Sequence, residues 1–163
     1  MTNPQSINIF SVGNPLYGDD GVGKEVAEQF IEKDNNFRVN YYDAGTDALS
    51  LIDRFKPNGL NIIIDAAKMG KDPGAVIRMD QHEVNFTIKW DHLSLHGFGL
   101  AETFKMAELV GTLPEDLIVI GIEPEKIRIG EKITKVVEDS IPTAVNLITR
   151  EVNLYESKNC IDY

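Results

Sequence analysis

Two apolar runs decide most of what this chain can fold into. Residues Leu60–Ala66 read LNIIIDA and residues 116–122 read DLIVIGI. A strand with one wet face alternates apolar and polar side chains. A near-continuous apolar run instead suggests a strand covered on both faces, as in a parallel sheet. The rest of the chain supplies further strands and the covering helices. Ile7–Val12 (INIFSV) is a short apolar strand, residues 37–43 (FRVNYYD) alternate as a strand, and residues 74–79 form another after the turn KDPG. Residues 21–33 place Val22, Val26, Phe30 and Ile31 at helical spacing, with Asp19 or Asp20 available as a cap. Residues 46–55 are expected as a short helix with Thr46 as N-cap, and residues 82–94 as irregular. Leu100–Val110 is helical on Leu100, Phe104, Ala107 and Leu109. Residues 133–152 carry the last long helix, which Pro142 should bend or interrupt. Strands alternating with helices predict a three-layer α/β sandwich with a mostly parallel twisted sheet, as a single domain over residues 1–163. No internal repeat or linker interrupts it.

Charge narrows the partners. Asp and Glu number 26 and Lys and Arg 16, a formal −10. Nucleic-acid affinity comes mainly from basic side chains that neutralise phosphates, and no Lys/Arg cluster is present, so no nucleic-acid partner is expected. A metal, another cationic partner or a neutral peptide fits better. No apolar run approaches the ~18 residues of a membrane span. The opening MTNPQSINIF lacks the basic-then-apolar order of a signal peptide, and the one cysteine, Cys160, forms no internal disulfide. These features predict a cytoplasmic protein with no membrane partner.

In parallel sheets the site lies beyond the carboxyl ends of the strands. The segments expected there are GNPLYGDDG, DAGT, DAAKMGKDPG and EPEKIRIG, with LSLHGFG opening the helix at Leu100. The glycine loop is neither a dinucleotide fingerprint nor a P-loop. Asp43 is the one residue that could read a ribose, and Asp19 and Asp20 would repel a pyrophosphate. Three side chains stand out: Asp20 before the first helix, Asp65 after the run III, and His96 in a loop. Two carboxylates and an imidazole can coordinate a first-row divalent metal and leave positions for substrate. Each also has an ordinary reading: a helix cap for Asp20, a loop or cap residue for Asp65, a hydrogen-bonded structural histidine for His96. His82 and His92 neighbour charged or polar residues and are expected to be exposed.

The ordered motifs GNPLYGDDGVG, DAGT, IIIDAA, SLHGFGL and GIEPEKIRIG resemble the hydrogenase maturation proteases over nearly the whole chain. The resemblance implies a phosphorylase/hydrolase-like α/β fold. It implies a cytoplasmic endopeptidase that removes the C-terminal extension from a [NiFe] hydrogenase large-subunit precursor. The metal ligands and catalytic positions then fall on Asp20, Asp65 and His96, with Asp19 as an alternative to Asp20. Nickel is implied to arrive with the substrate, with cadmium or zinc able to substitute in vitro. Ala44 stands where the family has the first glycine of its turn, which matters only if that position needs a positive φ. Residues 81–91 and 111–116 are expected to line the substrate groove. Two other readings compete. A peptidyl-tRNA hydrolase-like esterase shares the G-N-P turn but needs a basic face for tRNA. A non-enzymatic nickel metallochaperone would bind metal without cleaving peptide.

Overall fold

The computed structural model describes residues 5–34, 39–88 and 99–159. Five strands form one sheet: β1 (Ile7–Val12), β2 (Val39–Gly45), β3 (Leu60–Ala66), β4 (Val76–Asp80) and β5 (Leu117–Ile122). Their order is β2-β1-β3-β5-β4. The first four in that order are mutually parallel, and β4 closes one edge antiparallel to β5. The apolar runs occupy the covered middle, where every residue of β1 and β5 is buried.

Alternation along the strands sends side chains to two cores. On one face Ile7, Ile9, Ile62, Ile64, Ile120 and Ile122 pack with α1 (Val22–Lys33) and α5 (Ile141–Asn159). On the other, Phe10, Val12, Ile63, Leu117 and Val119 pack with α3 (Leu100–Val110) and the 3₁₀ turn Ala48–Asp53. Phe55 meets Phe10 edge-on, their ring centroids 5.8 Å apart. The expected three-layer sandwich is therefore present.

Several local expectations need correction. Residues 46–55 yield only the 3₁₀ turn, and its cap is Asp47, whose carboxylate accepts from the Ser50 N–H at 3.3 Å. Thr46 does not hold that position. The N-cap of α1 is Gly21, so neither Asp19 nor Asp20 occupies it. Leu109 is exposed; Thr103 takes the buried place instead, its hydroxyl bonded back to the Gly99 carbonyl at 3.0 Å. The last helix is split into α4 (Lys135–Glu138) and α5. Pro142 falls in the first turn of α5, where a missing N–H leaves no helix bond unmade. Within the segment expected to be irregular, Val84–Thr87 makes one helical turn, α2; residues 89–94 lie outside the described residues. Gly45, at φ +55°, takes the left-handed backbone of the turn after β2, so Ala44 is tolerated.

Residues 111–116 lead into the amino end of β5, away from the carboxyl ends of the parallel strands. Gln81 donates to the Pro114 carbonyl at 3.3 Å. Gln81 and residues 111–116 thus meet at the end of the sheet opposite the candidate site; residues 89–91 lie outside the described residues. Among the described residues no helix is long and apolar enough to cross a membrane.

Candidate functional site

The site is built from the carboxyl ends of β1, β3 and β5. Asp65 sits in register between Val12 of β1 and Gly121 of β5. Two residues beyond Ile63, it shares that residue's face, the α3 side. It is buried, as expected for a carboxylate closing a central strand.

Asp20 lies on the loop that follows β1, the strand beside Asp65. Its Oδ2 accepts the Asn14 N–H at 2.8 Å. Gly13 has φ +133°, and a Cβ there would lie 2.0 Å from the Asp20 carbonyl oxygen and 3.6 Å from its carboxyl carbon. Only glycine lets the chain double back so closely. Gly23 does the same for α1: an added Cβ would meet the Ile64 carbonyl oxygen at 2.5 Å and that of Val12 at 3.0 Å. The first turn of α1 is therefore seated directly on the ends of β1 and β3. Asp20 is held against Gly13 and Asn14, and the residue just before them, Val12, is the neighbour of Asp65.

Asp19 has a different task. It is wholly buried. Its Oδ2 accepts the Glu125 and Lys126 N–H groups at 2.8 Å each, and its Oδ1 accepts the Thr134 N–H at 2.7 Å. The Thr134 hydroxyl lies 3.0 Å from both oxygens. A carboxylate with this many donors is committed to the fold, which assigns Asp19 to structure and leaves Asp20 as the ligand candidate of the pair.

Other polar groups at this edge are also engaged internally. Asp43 accepts from Ser11 at 3.1 Å and from the Gly45 N–H at 2.9 Å, with the Lys24 ammonium 3.7 Å away. It is not arranged to read a ribose. Ser11 also bonds the Tyr41 hydroxyl at 2.7 Å, and burial pushes the Tyr41 phenol up from its ordinary pKa. Ser11 is fully buried, so no peptide can reach it as a nucleophile. Glu123, which sequence reasoning missed, is a buried carboxylate just past β5. Its Oε1 accepts the Met69 and Lys71 N–H groups at 2.9 and 2.7 Å and so folds the loop after β3. Its signal was available: like Asp65, it is an acid ending an apolar run.

His96 and His92 lie outside the described residues, as does Cys160. His82 is exposed, as expected. Among the described residues no group of three or more His, Cys, Asp or Glu side chains could hold a metal ion. Of the three expected ligands the described residues hold two, Asp65 at the end of β3 and Asp20 on the loop after the neighbouring strand β1.

The family model described as hydrogenase maturation protease matches residues 21–151. This chain belongs to that family. It is 30% identical over 146 residues to the hydrogenase expression/formation protein HupD of Bradyrhizobium diazoefficiens, a match covering 86% of this chain and 74% of that protein. It is 29% identical over 149 residues to the hydrogenase 2 maturation protease of Escherichia coli, covering 87% of each. The fold superposes on the hydrogenase maturating endopeptidase HybD from E. coli with a TM-score of 0.80, at 26% identity, over 94% of each chain. Membership makes the chain a peptide hydrolase of hydrogenase maturation, and it sets aside the esterase and metallochaperone readings.

Proposed function

We propose that this maturation protease removes the C-terminal extension of a nickel-loaded [NiFe] hydrogenase large-subunit precursor in the cytoplasm. In this reading Asp20, Asp65 and His96 grip the nickel that the substrate brings. The observation that carries it is the placement of two buried carboxylates, Asp65 at the end of β3 and Asp20 on the loop after the adjoining strand β1. The donor set suits a divalent first-row ion: two hard oxygens and, with His96, one imidazole nitrogen. Cadmium or zinc should fill the same place in vitro.

The division of labour follows from the positions. Asp65 is carried by a central strand and gives a fixed reference point. Asp20 sits on the glycine loop, fastened through Asn14. The chemistry a substrate-borne nickel supplies is Lewis acidity toward the scissile carbonyl or an attacking water. Holding that ion in register with the peptide is the task of the three side chains.

The test is incubation of purified protein with nickel-loaded precursor, with the large subunit followed by mass. Wild type should release the extension, and the Asp20→Asn variant should release it far more slowly. An intact precursor after incubation with wild type, or equal rates for the two proteins, would sink the proposal.

A further inference from the structure

We propose that Leu16 and Ile129 form an apolar docking step for the substrate polypeptide, seated on the rim of the site and held rigid by Asp19. The inference rests on the protease reading and adds a specificity element to it. Leu16 and Ile129 are 68% and 70% exposed, large apolar side chains left in water by the isolated chain. They come from loops more than a hundred residues apart in sequence, yet the Gly130 N–H donates to the Leu16 carbonyl at 2.8 Å and fastens the backbone beside Ile129 to that of Leu16.

Leu16 is tied to the site by the turn that holds Asp20. The Leu16 N–H donates to the Asn14 side chain at 3.0 Å, while the Asn14 N–H donates to Asp20. Ile129 lies midway along the loop 125–134. The base of that loop is closed by one carboxylate: Asp19 takes the N–H groups of Glu125 and Lys126 at one end and that of Thr134 at the other. The Asp19 N–H also donates to the Lys126 carbonyl at 3.0 Å. The result is an Ω-type loop with its base pinned and its middle fastened to Leu16. A buried carboxylate is a demanding way to fix an exposed loop. What it secures is the loop that carries Ile129 against the loop that carries Leu16 and Asp20. Preorganised apolar groups at a site rim bind without first having to be ordered. The occupant that must lie across this rim during cleavage is a polypeptide, so the step should receive an apolar side chain of the precursor flanking its scissile bond.

The test compares wild type, the double variant Leu16→Ser with Ile129→Ser, and a control, Leu109→Ser with Val110→Ser. The control pair is 74% and 59% exposed and ends α3, next to the segment leading into the amino end of β5. The probe is the nickel-loaded large-subunit precursor from the source organism. Its Kd and its cleavage kinetics are measured in parallel, with helical content checked by circular dichroism. The rim variant should weaken Kd and raise KM by about tenfold or more, the loss falling in KM rather than kcat; the control should match wild type. Equal effects from both pairs, or no change from the rim pair, would overturn the step. So would a rim variant that only converts a dimer to a monomer in sedimentation, because the occupant would then be a second copy. If wild type binds but does not cleave, the protease reading fails while the Kd comparison still decides the docking step.

Discussion

The two ends of the sheet bury polar side chains of different kinds. At the amino end the buried groups are amides. Asn61 accepts the Lys56 N–H at 2.9 Å and donates to the carbonyls of Lys56, Gly59 and Asp116. Asn8 donates to the Leu60 carbonyl at 3.2 Å and accepts from Asn40 at 3.2 Å. At the carboxyl end they are the carboxylates of Asp19, Asp20, Asp65 and Glu123, with the Ser11 hydroxyl. Both ends must satisfy loop backbone, and neutral amides suffice at one of them. An amide carries both donors and acceptors and needs no counter-charge. The other end uses carboxylates, and Asp20 among them also accepts a loop N–H, that of Asn14. Asp19 and Glu123 are explained by the N–H groups they collect. In the proposed function, Asp20 and Asp65 serve to hold the cation.

The largest expected effect separates those last two from the rest. Asp65→Asn and Asp20→Asn keep the shape and remove the charge, so cleavage of nickel-loaded precursor should fall by about a hundredfold or more, with melting temperature nearly unchanged. Wild-type rates in either would break the contrast between the two ends. Asp19→Asn should act mainly on stability. Its amide would turn N–H toward N–H, and charge-assisted hydrogen bonds would be lost, at about 2–3 kcal/mol, with a rise in KM as the loop 125–134 loosens. Denaturant unfolding and cleavage kinetics measure both. Asn61→Ala should lose about 2 kcal/mol of stability by orphaning buried backbone groups, with kcat/KM intact. A drop in kcat/KM there would mean the amino end takes part in function. The smallest effect belongs to Lys24→Gln, which removes a part-exposed ion pair to Asp43 and should change stability by under about 0.5 kcal/mol, readable in the same unfolding curves.

How far the sequence reaches can be seen in the same residues. Asp65 was legible because it ends an apolar run, and a strand end fixes where its side chain can be. The covered strands were legible for the same reason. Asp19 and Asp20 could not be told apart, because both lie in one loop. What separates them is a hydrogen-bonded loop more than a hundred residues further along the chain. Thr46 is a cap by residue type, yet Asp47 holds that position because the turn begins one residue later. Leu109 was placed inside by period alone, and period does not tell where a helix leaves the core. The direction of β4 is not legible in the sequence, and its antiparallel run carries Gln81 to the far end of the sheet, away from the expected groove.

The central claim is that Asp20 and Asp65 are placed for a cation rather than for the fold. Calorimetric titration of cadmium into purified wild type, Asp65→Asn, Asp20→Asn and Asn61→Ala tests it most directly, without need of substrate. Wild type and Asn61→Ala should each bind one equivalent, and the two aspartate variants should lose that binding. Cadmium bound by Asp65→Asn and Asp20→Asn with wild-type stoichiometry and affinity would contradict the claim.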